Sequence, residues 1–166
     1  VFETTLETIP ANLPYLFADP KKVAVWRQRL QSEENKVGIV WAGRPVAQTD
    51  PVGLSYRSSD IRYYAPLAEI YGVRIYGLQK GPAAGDVEKL GLGDKITNLG
   101  ERFKDFSDTA AAIANLDLVI SIDTSVAHLA AAMGKPTWLL LPQAADWRWL
   151  QRRSDSPWYP SMRLFR

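Results

Sequence analysis

Apolar positions along the chain gather into short, nearly unbroken runs separated by more polar stretches of helix length. Val37-Gly38-Ile39-Val40-Trp41, Val73-Arg74-Ile75-Tyr76-Gly77-Leu78, Leu118-Val119-Ile120-Ser121-Ile122 and Thr137-Trp138-Leu139-Leu140-Leu141 each have strand length and lack the alternation of a half-exposed strand. Ile96 to Leu99 predicts a further short strand, and Met162-Arg163-Leu164-Phe165-Arg166 is strand-like. Between them the pattern predicts helices. One spans Pro20 to Gln31 with Asp19 as N-cap; a second is capped by Ser58, Ser59 or Asp60 and runs to Ile70, closed by Gly72. A short one covers Asp86 to Leu90, an Ala-rich one starts from Ser107 or Asp108 and ends at Asn115, and another begins at Asp123-Thr124-Ser125, runs through Met133 and stops at Gly134-Lys135-Pro136. Residues 1–19 read as an extended lead-in. Buried strands alternating with helices predict an α/β fold, a Rossmann-like parallel sheet with helices on both faces and right-handed crossovers.

Length and composition narrow the chemistry. The chain of 166 residues suits one domain with a real core, and its 46% apolar and 23% charged residues are those of an ordinary globular protein. There is no cysteine, which excludes disulfides, thiolate metal sites and cysteine nucleophiles; His128 is the single histidine, which excludes a multi-histidine metal centre. No apolar run approaches the roughly 18 residues of a membrane span. The net charge of +2 does not by itself point to nucleic acid, although Arg148, Arg152, Arg153, Arg163 and Arg166 make the C-terminal end locally basic.

In a parallel α/β sheet ligands bind beyond the carboxyl ends of the strands. Four places qualify: Ala42-Gly43-Arg44, Gln79-Lys80-Gly81, Asp123-Thr124-Ser125 with His128, and Pro142-Gln143 leading to Trp147-Arg148-Trp149. The third puts hydroxyls and helix N–H groups where an anion is favoured, with His128 on the same helix face. Asp123 as an ordinary N-cap and His128 as a packing residue fit the spacing equally well. A helix terminus supplies about 0.3 to 2 kcal/mol and millimolar affinity needs about 4, so cations are required as well. Lys80 and Arg57 are the candidates, at roughly 1.5 to 3 kcal/mol for each charge-assisted bond. Trp147 and Trp149 offer either a stacking surface or packing onto the core. No glycine-rich dinucleotide fingerprint, P-loop or serine elbow follows any strand.

The run from Asp117 to Pro136, DLVISIDTSVAHLAAAMGKP, resembles the signature of the heptosyltransferase-like glycosyltransferases of family nine. Trp41-Ala42-Gly43, Leu78-Gln79-Lys80-Gly81 and Asp146-Trp147-Arg148-Trp149 are more similar to a bacterial branch in which such a domain follows tetratricopeptide repeats. The resemblance extends over nearly the whole chain from about Thr4, and implies the C-terminal, donor-binding half of a GT-B enzyme. Residues 1–36 then form a lead-in and short helix linking to a missing N-terminal half, and residues 37–166 a nucleotide-sugar-binding domain. The resemblance implies that Asp123 meets sugar hydroxyls and that Thr124, Ser125 and His128 meet the pyrophosphate, within a wider binding set of Gly43, Arg57, Gln79, Lys80 and Trp149. Ser125 stands where the family often has glycine. The general base of these inverting enzymes belongs to the other half, so the chain alone is expected to bind without turning over. The implied partners are a nucleotide sugar, the missing half and the repeats, in the cytoplasm, with no cofactor or metal. An interaction module of the same fold and a nucleic-acid binder working through the arginine-rich end are the alternatives.

Overall fold

The computed structural model describes residues 3–43 and 58–166. Six strands form one sheet in the order β3-β2-β1-β4-β5-β6, and every neighbouring pair is parallel. The strands are β1 (Asn35–Val40), β2 (Val73–Gly77), β3 (Ile96–Asn98), β4 (Leu118–Ile122), β5 (Thr137–Leu140) and β6 (Met162–Phe165). The helices are α1 (Pro20–Arg29), α2 (Asp86–Lys89), α3 (Phe106–Ala114) and α4 (Ser125–Ala132). Residues 3–18 carry no helix or strand.

The apolar runs are continuous because the central strands are buried on both faces. Along β1 and just past it, Val37, Ile39 and Trp41 enter one core with Ile61, Tyr64, Ile75, Val87, Ile96 and Ile120. Val40 turns the other way and packs with Trp26, Leu30, Leu78, Ala112, Ile113, Leu116 and Val119. Gly38 lies on that second side, where an added Cβ would come within 2.5 Å of Leu116 Cδ1. A third cluster of Ala127, Ala131, Leu139, Leu141, Trp149, Met162 and Leu164 closes the β5–β6 end.

Helix α1 belongs to this packing. Trp26 and Leu30 are 2% and 1% exposed, and Trp26 lies 5.0 Å, centroid to centroid, from Phe103. The expected division after residue 36 therefore falls inside β1, and the lead-in helix shares the core of the domain that follows.

Two expectations about helices change. The stretch expected as one helix to Ile70 forms two short 3-10 turns, Ile61–Tyr63 and Ala65–Glu69. Pro66 lacks the N–H that a continuous α-helix would use there. Helix α3 is capped by Asp105, earlier than expected, and Asp105 Oδ1 accepts from the N–H of Asp108 at 2.9 Å. At the other end of the βαβ unit, α4 closes with Gly134 at φ +73°, its N–H on Ala131 and that of Lys135 on Ala130. This is the glycine-terminated pattern in which left-handed backbone satisfies the last carbonyls. Lys135 Nζ then donates to the carbonyls of Ala114 and Leu116 at 2.7 and 2.8 Å, tying the ends of α3 and α4 together.

Candidate functional site

The strand order reverses between β1 and β4, whose connections lead to opposite halves of the sheet. Such a reversal opens a crevice at the carboxyl edge. A cleft of about 500 Å³ occupies that place. Its walls come from Ala42 and Gly43 after β1, Gln79 and Lys80 after β2, and Thr124 and Ser125 after β4. Lys104 and Phe106, at the approach to α3, complete it.

Two helices start at this cleft, and they differ in what their first N–H groups meet. At α3 a carboxylate is already in place: Asp105 caps the helix and also contacts Lys22 Nζ at 3.1 Å. At α4 the cap residue Thr124 makes no side-chain bond to the helix N–H groups. Its hydroxyl instead lies 3.1 Å from Ser121 Oγ, which donates to the Ile122 carbonyl at 2.7 Å. The start of α4 thus keeps the positive end of its dipole and its first N–H groups open to an anion, with Lys80 and Lys104 lining the same cleft.

Gln79 gives the cleft its shape. Its amide oxygen accepts from the N–H groups of Trp41 and Ala42 at 3.3 and 2.9 Å, and its amide nitrogen donates to the carbonyls of Ala42 and Lys80, both at 3.0 Å. The side chain is buried and its polar atoms are engaged in joining the ends of β1 and β2. Lys80 Nζ donates to the Phe103 carbonyl at 2.5 Å, which draws the β2 end toward the approach to α3. The Gly43 N–H donates to Ser58 Oγ at 3.1 Å.

Asp123, His128 and Trp149 form a second group. Trp149 Nε1 donates to Asp123 Oδ2 at 3.0 Å, and His128 Nε2 lies 3.6 Å from Asp123 Oδ1. The His128 ring stacks on Trp149 with centroids 5.3 Å apart, and its Nδ1 lies 3.0 Å from the Tyr159 hydroxyl. Burial, reinforced by the neighbouring Tyr15 phenol, pushes the Tyr159 hydroxyl well above its ordinary value of 10.0, so it remains protonated at neutral pH.

The structure therefore brings Gly43, Gln79, Lys80, Thr124 and Ser125 to one cleft. Asp123, His128 and Trp149 share a network next to it. Trp149 is fully buried, so its ring is no surface for a base; two residues back in the same 3-10 turn, Trp147 is 73% exposed. Arg57 and Arg44 lie outside the described residues. Lys104 and the exposed Phe106 were not anticipated. The rule applied to the other strands, followed beyond β3 through the Gly100–Arg102 turn, leads to both. The basic C-terminal end is largely engaged internally: Arg153 pairs with Asp155, Arg163 sits over Phe165, and Arg166 donates to the carbonyls of Trp149, Leu150 and Arg153.

Among the described residues no group of three or more His, Asp or Glu side chains is arranged to hold a metal ion, and no helix is long and apolar enough to cross a membrane.

The family model for glycosyltransferase family 9 (heptosyltransferase) matches residues 82–140. Protein FlbA of Caulobacter vibrioides is 29% identical over 167 residues, an alignment covering 97% of this chain and 27% of that protein. The fold is similar to that of E. coli ADP-heptose lps heptosyltransferase II, with a TM-score of 0.63 at 18% identity over 90% of this chain and 44% of that one. It is also similar to the E. coli heptosyltransferase WaaC with ADP-2-deoxy-2-fluoro heptose, with a TM-score of 0.59 at 14% identity, covering 96% and 45%. The family 9 glycosyl transferase from Veillonella parvula gives 0.60 at 12%, covering 90% and 41%. The chain thus spans less than half the length of each of these relatives. Residues 82–140 are thus similar to glycosyltransferase family 9 (heptosyltransferase), and the chain has the Rossmann-like fold seen in these GT-B structures.

Proposed function

We propose that this domain holds the nucleoside-diphosphate-sugar donor of a glycosyltransferase, with the diphosphate at the start of α4. The observation that carries this is the open N-terminus of α4, facing a cleft at the reversal of strand order and flanked by Lys80 and Lys104. A helix end plus two charge-assisted contacts amounts to about 3 to 8 kcal/mol, a range that spans the roughly 4 kcal/mol of millimolar binding. Thr124 and Ser125 supply hydroxyls to the phosphates. Gln79 acts as a positioning residue. The Asp123–His128–Trp149 group fixes the backbone just before the helix. Arg57 adds a further cation in this reading. The fold neighbours solved with a heptose donor analogue and with ADP support a nucleoside diphosphate as the ligand class.

The remaining parts of the proposal concern a longer protein. A second Rossmann-like half supplies the acceptor site and the carboxylate that deprotonates the acceptor hydroxyl, so this domain alone binds donor without transferring sugar. Tetratricopeptide repeats of the same protein present the acceptor, and the reaction takes place in the cytoplasm. A second reading, a GT-B-like interaction module, draws on Tyr15, Leu16 and Phe17, which are 52%, 44% and 80% exposed along the lead-in and form an apolar face for a partner.

Backbone amide NMR during titration with ADP, UDP, GDP and dTDP separates the two readings. Donor binding predicts saturable shifts centred on Ser125 and Val126 with one preferred base. Shifts confined to the lead-in with a protein partner, and none with any nucleotide, would favour the interaction module.

A further inference from the structure

Away from the diphosphate cleft, α1 and the approach to α3 enclose a groove of about 280 Å³. Lys21, Lys22 and Arg29 line it from α1, Arg102 and Lys104 line it from the other side, and Asp108 is the one carboxylate in its walls. Five cations against one carboxylate leave the groove at +4 in a chain whose net charge is +2, so the rest of the chain sums to −2. Positive charge is thus concentrated on one face.

The carboxylates nearby do not cancel this excess. Asp108 is held by Lys22 Nζ at 2.9 Å and by the Lys104 N–H at 2.9 Å. Counting also Asp105, which pairs with Lys22 from outside the groove, the excess is still +3. Lys21, Arg29 and Arg102 make no ion pair among the described residues. The Arg29 guanidinium lies 4.9 Å from the centroid of the Trp26 ring, which gives it a fixed place and covers that face of the ring. Val25, 47% exposed, is the open apolar side chain in the walls.

The spacing of these groups selects the shape of a partner. Lys21, Val25 and Arg29 follow one another at intervals of four along α1, on one inclined stripe. Each step is about 6 Å along the helix. An extended chain sets every second side chain on one side, about 6.6 Å apart. Cation, apolar, cation on α1 therefore matches carboxylate, apolar, carboxylate at alternate positions of an extended segment. A groove of about 280 Å³ takes the side chains of such a segment, but not the body of a helix, roughly 10 Å across. A nucleic-acid strand is the poorer match, because it stacks its bases on open aromatic rings, and Trp26 is 2% exposed beneath Arg29. We propose that this groove docks an extended acidic segment of a partner protein, with the pattern Glu-x-Leu-x-Glu or its aspartate and apolar equivalents. The site goes beyond the donor reading and shares only Lys104 with the donor cleft.

The test is backbone amide NMR of this chain at low ionic strength with two peptides of equal composition. One carries Glu-Ser-Leu-Ser-Glu between glycine and serine flanks; the other carries Glu-Glu-Ser-Ser-Leu in the same flanks. The first is expected to give saturable shifts of the Lys21, Val25, Arg29 and Arg102 amides, and the second to bind about fivefold or more weakly. The double variant Lys21→Gln, Arg29→Gln is expected to weaken the first peptide about tenfold or more, while Lys36→Gln, Lys89→Gln, which removes the same charge elsewhere, stays near wild type. Equal affinity for the two peptides, or equal loss in the two charge-matched variants, would reduce the groove to a diffuse field and overturn the proposal. No shift at millimolar peptide would overturn it too, as would a single-stranded RNA or phosphatidylglycerol vesicles binding through the same residues more tightly than the first peptide. None of the four substituted residues lines the donor cleft, so the response of the Ser125 amide to nucleoside diphosphates stands or falls separately.

Discussion

The indole of Trp149 donates to the carboxylate of Asp123 at 3.0 Å, and both residues are buried. This bond joins the turn after β4 to the loop after β5, so the backbone that leads into α4 is held by a residue 26 positions further along the chain.

Trp149→Phe keeps an aromatic ring in the same space and removes the donor. It is expected to cost about 1 to 3 kcal/mol, the range for depriving a buried acceptor of a partner. Trp147→Phe, at a position 73% exposed, is expected to cost about 0.5 kcal/mol or less. Urea unfolding of both variants makes the comparison; equal losses would mean that the indole–carboxylate bond contributes nothing to stability.

Gly100 sits against the main chain of the Gln79 clamp. A Cβ there would overlap the Gln79 carbonyl oxygen, which is backbone and cannot swing aside. Gly93 has no atom within 4 Å of the equivalent position. Gly100→Ala is therefore expected to destabilise by about 3 kcal/mol or more, through overpacking and movement of the β1 and β2 ends, whereas Gly93→Ala stays within about 1 kcal/mol of wild type. Thermal unfolding tests both.

Lys22 bridges α1 to the start of α3, with Nζ 3.1 Å from Asp105 and 2.9 Å from Asp108. The Asp108 carboxyl is held below its ordinary 3.8, first by Lys22 and then by the Lys104 N–H; Asp105 is lowered first by the Asp108 N–H and then by Lys22. Depressed carboxylates contribute stability that is present above their unfolded value and lost as pH falls through the lower folded one. Lys22, raised above 10.5 by the same partners, contributes its share at all pH below that value and loses it only as pH rises through the raised one. The stability difference between wild type and Asp108→Asn is therefore expected to be full at neutral pH and to shrink as pH falls below 3.8. A difference that stays constant from pH 7 into acid would contradict the bridge.

The sheet was legible because its central strands are largely buried on both faces: Val37, Ile39 and Trp41 serve one core while Val40 serves the other, so their apolar runs are nearly continuous. The unit from β4 through α4 to β5 was legible for the same reason, helped by Gly134 at a left-handed stop. Local pattern failed where a distant contact decides the outcome. Trp147 and Trp149 share one short turn, and which of them is buried depends on Asp123 after another strand. Gln79 could be placed at a strand end, but its role as a clamp depends on the main chain at Trp41 and Ala42, across the sheet. Lys104 and Phe106 reach the cleft only because β3 pairs beside β2 and aims the following turn there.

The central claim is that the first N–H groups of α4 bind the diphosphate, and Ser125, the first residue of that helix, allows a direct test. Proline is tolerated at a first helical position, and Thr124, at φ −138° and ψ 167°, already has the extended backbone that a following proline requires. Ser125→Pro thus removes one N–H and leaves the helix, while Ser125→Gly removes the hydroxyl and keeps the N–H. Calorimetric titration with the preferred nucleoside diphosphate is expected to show Ser125→Gly weakened through loss of the hydroxyl, and Ser125→Pro, which loses the hydroxyl and the N–H, weakened about tenfold or more beyond Ser125→Gly. Wild-type affinity in Ser125→Pro, with folding intact, would contradict the account.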